Sequence, residues 1–514
     1  MNCTTRCLTK WAAAVFAVTV AIAWSPASRA EDQPSSPAAT QPASATSPET
    51  ASQPAGTQPT ADQRLEELEK EVTLLQQQIA ALKSDSTPGM KTAAYAVPGS
   101  QPAAGGFTPG PGADDAPMKM SLAGLLGPVT LSGFGDAYYS YDNNHPFNNQ
   151  AGLVFFTAPT NGFSFNMAEL ILDKAPDATS SESRLGYHVS AGYGLAAKVV
   201  NGSDNTGFGD GSNFFIKEAY ASYLAPVGKG LTVTVGKFVT NAGAEVIESN
   251  SNWNYSRSMM FYYSIPYFHF GAKVAYTFNP KWSVNASVVN GWNNTFINHD
   301  SVLGASSGLT YGGTVTYTPN MKWSFIENYY AGPVTGAFAT NGATLNDWKQ
   351  LSDTVVSYTP NSKWAFMLNG DYGFGPRFYT ACDDAVARRG PVAQGITSCS
   401  PPSPAVSWWG VAGYAKYTLS PKTNFAVRYE YYDDPDGYTG LTFGDRGWAQ
   451  GVTGTYSYNL TNALLIRGEY RYDFASLPIF NQSFSSPVNE CGCVKEQSTA
   501  TLSFVYSFSS ANAK

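Results

Sequence analysis

From about Gly127 to Phe508 the chain alternates, one position apolar and the next small or polar, the period of a half-buried β-strand. Leu185, Tyr187, Val189, Ala191 and Tyr193 alternate with Gly186, His188, Ser190 and Gly192. Leu309, Tyr311, Val315 and Tyr317 alternate with Thr310, Gly312, Thr314 and Thr316, and the last segment places Ala500, Leu502, Phe504, Tyr506 and Phe508 on one face. The pattern predicts sixteen strands: 128–142, 161–174, 183–200, 213–226, 230–240, 266–279, 281–292, 308–319, 321–332, 348–360, 362–374, 405–419, 421–433, 447–459, 461–474 and 495–508. An even count suits a closed antiparallel barrel with both ends on one side. Strands 321–332 and 348–360 alternate poorly, because Glu327 shares a parity with Trp323 and Phe325. That leaves a bulge there, or a count off by two, open.

A soluble sandwich alternates in the same way, and three features separate the two. The strands run about 11–15 residues, against a globular mode of about 5–6, and about 9–11 tilted residues cross a bilayer. Tight turns at Asn279-Pro280-Lys281, Pro319-Asn320-Met321, Pro360-Asn361-Ser362, Ser420-Pro421-Lys422 and Leu460-Thr461-Asn462 alternate with long polar links at 293–307, 333–347, 375–404 and 475–494. Short turns at one end and long loops at the other are the outer-membrane pattern. Tyr276, Trp282, Tyr317, Trp323, Tyr358, Trp364, Tyr417 and Phe425 flank the tight turns, as an aromatic girdle at a membrane interface would.

Upstream the pattern changes. Arg6 and Lys10, the apolar run from Trp11 to Trp24, and Ser28 and Ala30 before Glu31 read as a secretory signal over residues 1–30. Residues 31–60 have linker composition. Over 61–85, Leu65, Leu68, Val72, Leu75, Ile79 and Leu82 form a heptad seam. A lone helix of this length is marginal, so self-association is the expected way to bury the seam; a helix lying on the body of the same protein is the alternative. Residues 86–127 return to linker. The arm is expected in the periplasm and the barrel, from 128 to 508, in the outer membrane, with lipid around it.

Composition agrees. Only 13% of the 514 residues are charged and 14% are aromatic, too few charges for an ordinary soluble enzyme and too many aromatics for a disordered chain. The net charge of −7 with no basic run argues against nucleic acid as a partner. Beyond the signal, Cys382, Cys399, Cys491 and Cys493 lie in two loop segments of an exported chain, which suggests disulfides with three possible pairings. Cys382 with Cys399 is the first choice, closing a loop of about 18 residues worth about 3 kcal/mol in the chain-entropy model; a cross-loop pairing is the alternative. No metal or cofactor is expected, since no His lies near either pair.

The segments LSGFGDAYYSYDNNHP, FSFNMAELILDK, FIKEAYASYLAP and LTVTVGKFVTNAGAEV resemble the OmpL-like β-barrel porins of bacterial outer membranes over about residues 128–508. GKFVTNAGAE is also similar to the corresponding stretch of phosphate-selective porins. The resemblance implies a sixteen-stranded trimeric porin, whereas Val72 and Ile79 at one seam position favour two strands.

If the apolar face meets lipid, parity sends Arg184, Lys217, Lys273, Lys416, Arg428, Arg467 and Arg471 inward, with Asp136, Asp371, Glu430, Glu469 and Asp473. Such charges near the midplane of a lipid face would cost about 2–4 kcal/mol each. They read as the hydrated wall or selectivity ladder of a pore. The loop 241–265, with Glu245, Glu248 and Arg257, is the candidate constriction, and Glu245 and Glu248 are expected to face Arg428, Arg467 and Arg471 across the lumen. No GxSxG, HExxH or P-loop motif is present, so no enzyme is expected. The function that fits is passive diffusion of small hydrophilic solutes and ions with weak selectivity; a plugged barrel serving as receptor or anchor is the alternative.

Overall fold

The computed structural model describes residues 129–181, 183–204, 212–297, 306–338, 344–375, 406–442, 445–482 and 493–510. The expected signal, linkers and heptad helix lie outside these residues, as do His299, Cys382, Cys399 and Cys491. Cys493 is disulfide-bonded.

The described strands close into one antiparallel barrel. They are β1 Thr130–Asp142, β2 Gly162–Lys174, β3 Leu185–Tyr193, β4 Phe214–Ala225, β5 Leu231–Val239, β6 Phe268–Asn279, β7 Trp282–Val289, β8 Thr310–Asn320, β9 Trp323–Phe338, β10 Thr344–Tyr358, β11 Trp364–Gly375, β12 Val406–Ser420, β13 Thr423–Asp434, β14 Gly447–Asn459, β15 Leu464–Ala475 and β16 Glu496–Ser509. Each strand pairs with its sequence neighbours, and β1 closes on β16 from Ser132↔Ser509 to Asp142↔Thr499. Closure removes the free edge, so the ladder groups find partners without water, the condition for crossing lipid. The period-two pattern becomes two faces. Along β11, Trp364, Phe366, Leu368 and Tyr372 point outward and are exposed, while Ala365, Met367, Asn369 and Asp371 point inward and are buried.

The turns explain the girdle. Three carry the repeat Asn-x-Lys-Trp, at Asn279–Trp282, Asn320–Trp323 and Asn361–Trp364. In each, the Asn Oδ1 accepts the backbone N–H of the Lys at 2.9 Å, the Asx-turn geometry in which a side chain substitutes for a backbone turn. The Trp then starts the next strand and stacks on a registered aromatic: Trp282 on Tyr317 at 4.2 Å, Trp323 on Tyr358 at 4.2 Å, with Trp364 tilted against Tyr417 at 4.6 Å. The outward tryptophans among the described residues, Trp282, Trp323, Trp348, Trp364, Trp409 and Trp448, all lie on β7–β14. The arc from β15 through β1 to β6 has none.

Three local expectations are corrected. The third strand ends at Tyr193 and not at 200, because Gly194 adopts φ +128° and Leu195–Gly202 forms a helix, α1. Its Leu-Ala-Ala-Lys run has high helix propensity, and Ala196, Ala197 and Val200 are buried. The link expected at 333–347 is largely strand. β9 and β10 stay paired through Pro333↔Trp348 and Val334↔Asp347 to Thr344↔Phe338, since ladder bonds are made by the backbone and do not need an apolar alternation. Glu327 is neither bulged nor miscounted. It sits in unbroken register between Val315 and Thr354, points outward, and accepts hydroxyl bonds from Ser352 (2.6 Å) and Thr354. The register shifts near the middle of the wall fall instead at Asp136/Ala137 and Ser190/Ala191.

Gly236 of β5 has φ +136°, and a Cβ there would meet the Ala219 carbonyl oxygen at 2.3 Å. Gly236→Ala is expected to destabilise the barrel by about 1–3 kcal/mol, read from the temperature of heat-modifiable gel migration. Gly135→Ala, whose Cβ enters open space, should stay within about 0.5 kcal/mol of the parent. Equal behaviour of the two would contradict the β4–β5 register.

Candidate functional site

Residues 240–267, between β5 and β6, fold into the barrel and are held by inner-face side chains on opposite sides. The Asn241 side chain donates to Thr314 Oγ1 of β8 (3.0 Å), and its backbone N–H donates to the Tyr330 hydroxyl of β9 (3.2 Å). The Ala244 N–H donates to Asn369 Oδ1 of β11 (3.0 Å). Further along, the Ser249 hydroxyl donates to Asp136 of β1, Asn250 donates to Ser507 of β16 (3.1 Å), and Asn254 donates to Thr455 of β14 (2.7 Å). The run Ser249-Asn-Ser-Asn-Trp-Asn-Tyr-Ser-Arg-Ser258 suits this course, because Ser and Asn side chains satisfy irregular backbone locally. Ser258 then caps a short helix, α2 (Met259–Tyr263), accepting the Phe261 N–H at 3.2 Å. The apolar face of α2 packs on Phe156, with ring centres 5.6 Å from both Phe261 and Tyr262. Burial there pushes the Tyr262 phenol up to about 12, although Arg257, Arg471 and Arg428 lie near it.

The charged runs of β13 and β15 form the docking face of this segment. Arg428 is fully buried. It pairs with Glu245 (Nη1–Oε1 2.7 Å), donates to the Ser256 carbonyl (2.6 Å) and the Arg257 carbonyl (3.2 Å), and lies 3.2 Å from Glu430. Arg467 donates to the carbonyls of Ser249 (2.5 Å) and Asn252 (2.7 Å). Arg471 donates to the Arg257 carbonyl (2.7 Å), grips both oxygens of Asp473 through Nε, and approaches Glu430 at 3.3 Å. The carboxylates take the N–H groups. Glu469 accepts from Tyr255 (2.6 Å) and Ser256 (2.9 Å), Glu245 from Ser258 (2.6 Å), and Glu430 from Met259. Arg257 ties the segment to itself, donating to the carbonyls of Val246, Tyr255 and Ile247. Hydrogen bonds to charged groups contribute about 1.5–3 kcal/mol each, and these desolvated groups require them.

The sequence places Glu245 and Glu248 across the lumen from the arginines; the structure differs. Glu245 is in contact with Arg428, and Glu248 lies on the opposite wall against Lys217. Lys217 also pairs with Glu169 at 2.5 Å and Glu218 at 3.8 Å. The register shift at Ser190/Ala191 turns the consecutive Lys217 and Glu218 both inward. His188 joins them, with Nδ1 2.9 Å from Asp173 and Nε2 3.4 Å from Glu218. The inward segment therefore spans from the β2–β4 wall to the β13–β15 wall.

Of the remaining sequence candidates, Lys416 touches the segment through Trp253 and the others lie apart. Lys273 is on the inner face of β6 over the Phe238 ring (4.4 Å), Lys416 lies over Trp253 (4.6 Å), and Arg184, at the short-turn end, donates to the Leu224 carbonyl (3.0 Å). Asp371, inward by parity, belongs to an acid–amide net whose other members the sequence pattern does not single out: Asn328 and Asn369 each donate to Asp353 at 2.7 Å, and Asn369 reaches Asp371 at 3.0 Å. Inward parity was the available signal. Along β7 and β8 the inner face carries Ser283, Asn285, Ser287, Gly312 and Thr316, all partly exposed. Among the described residues no cluster of His, Cys, Asp and Glu is arranged to hold a metal.

Residues 128–508 match the family described as "Putative beta-barrel porin-2, OmpL-like". None of the curated proteins matches the chain. Among solved structures the chain is similar to an anion-selective porin from Comamonas acidovorans (13% identity, TM-score 0.45, covering 74% of this chain and 99% of that one). It is also similar to the outer membrane channel DcaP of Acinetobacter baumannii (13%, 0.46, 74% and 97%) and to the trimer form of OmpT of Vibrio cholerae (10%, 0.44, 74% and 99%). The barrel topology stands on the chain's own strand pairing.

A double-mutant cycle on Glu245→Gln and Arg428→Met should return a coupling of about 1–3 kcal/mol in barrel unfolding. Additive effects would separate the two side chains.

Proposed function

The chain belongs to the OmpL-like β-barrel porin family and is an outer-membrane porin, and from that premise we propose how it conducts. Small hydrophilic solutes and ions diffuse passively through the lumen, between the inward segment 240–267 and the small polar wall of β7 and β8. The observation that carries this reading is that the segment crosses the lumen, seated on the charged strands β13 and β15, and leaves beside it a partly exposed wall of Ser, Asn, Gly and Thr on β7 and β8. Sixteen strands enclose an aqueous interior, whereas eight are filled by side chains. Arg428, Glu430, Arg467, Glu469, Arg471 and Asp473 act as the seat of the constriction. With their charges paired or bonded to backbone groups of the segment, ion selectivity is weak.

The barrel works as a homo-oligomer, a trimer joined in part by the periplasmic heptad seam of 61–85. The arc from β15 through β1 to β6 faces the neighbouring copy. In support, tryptophans favour the lipid–water interface and that arc presents none outward. Deleting residues 61–85 is expected to lower the thermal stability of the oligomer; an unchanged oligomer would make the helix a spacer.

Purified protein in a planar bilayer is expected to give a stable ohmic channel. Arg467→Gln with Arg471→Gln should raise and destabilise its conductance, because both side chains hold the constricting segment by its carbonyls. An unchanged conductance with a shifted reversal potential would instead place both side chains in the open pore wall. A barrel closed under every condition would favour a receptor or anchor.

A further inference from the structure

At the loop end of the barrel, three aromatic rings from three parts of the chain enclose one ammonium. Lys349 projects from the inner face of β10. Its Nζ lies 3.9 Å from the ring centre of Trp292, which follows β7, 5.3 Å from that of Trp408 on β12, and 5.4 Å from that of Tyr438, which follows β13. Trp408 and Tyr438 stack with centres 5.0 Å apart and planes 17° apart, and Trp292 stands edge-on to Trp408 at 6.4 Å and 81°. Gly373, registered with Trp408 across β11 and β12, makes the arrangement possible, since a Cβ at that position would lie 2.0 Å from the indole.

This cation differs from the ion-paired clusters of the lumen, and among the described lysines that lie over rings it has three rings about it. Arg428, Arg471 and Lys217 each pair with carboxylates. Lys349 has no carboxylate partner among the described residues, and its neighbours are the three rings. Burying an ammonium without an anion is unfavourable, and a Leu or Met would fill the same space without that cost. The enclosure is thus shaped for positive charge, since aromatic rings attract a desolvated cation. Aromatic cages of this kind accept organic ammonium groups, quaternary ones included.

We propose that Trp292, Trp408 and Tyr438 form a binding site for organic ammonium groups at the loop end of the lumen, filled in this structure by the ammonium of Lys349, which a soluble amine displaces. The site lies where solutes would meet the lumen, but its existence does not depend on conduction.

The test is a tryptophan-fluorescence titration of the detergent-solubilised full chain with tetramethylammonium chloride, against sodium chloride at equal ionic strength. Lys349→Ala empties the cage and is expected to bind tetramethylammonium at least 10-fold more tightly than the parent. Adding Trp408→Leu to Lys349→Ala should abolish that gain. Heat-modifiable migration establishes that each variant is a folded barrel, and Lys349→Ser, equally short and uncharged, is titrated against the same outcomes should the Ala variant not assemble. A folded Lys349→Ala or Lys349→Ser barrel that binds no more tightly than the parent overturns the proposal, as does tight binding that survives Trp408→Leu. The titration needs no current, so a failed cage and a failed channel are distinguishable.

Discussion

A guanidinium or carboxylate withdrawn from water is stable only if each of its polar groups finds a partner, and in this barrel many of the partners are peptide groups. Arg428, Arg467 and Arg471 donate to carbonyls of residues 249–257, and Glu469, Glu430 and Glu245 accept N–H groups of residues 255–259. The dependence runs both ways. An irregular segment inside a barrel cannot satisfy its own backbone in a helix or sheet, and the arginines and acids of β13 and β15 could not sit this deeply buried without it. The interior is therefore organised by exchange between side-chain charge and backbone dipole.

The wall answers to a different constraint. In lipid every backbone group must be paired within the protein, and the closed register from β1 to β16 meets that condition. The Asn-x-Lys-Trp turns place aromatic rings at one rim. Glu327 is the notable polar group on the outer face, kept tolerable there by hydroxyls of Ser352 and Thr354 on the neighbouring strand.

The wall was legible in the sequence because it is written in local signals: period two, Pro and Asn at turns, and aromatics flanking them. The strands, their number and the inward parity of Arg428, Arg467 and Glu469 follow from those signals. What an inward charge meets does not. Arg428 finds Glu245 across 183 positions of sequence, and parity is blind to whether water or another segment of chain stands opposite. The end of β3 was missed because an alternating pattern runs into Leu195–Gly202, where a glycine at positive φ and a helix-forming run decide the local structure. Paired strand beyond Pro333 is not legible because ladder bonds are made by the backbone and continue where the side-chain alternation stops.

The measurement closest to the central claim is hydrogen–deuterium exchange of residues 240–267 in the assembled barrel. The Tyr255, Ser256 and Ser258 amides, bonded to buried carboxylates, are expected to exchange as slowly as the amides of β13 and β15. Exchange as fast as that of the loop residues 435–440 would show that the segment is not docked, and would leave the buried charges of the wall without the partners assigned to them.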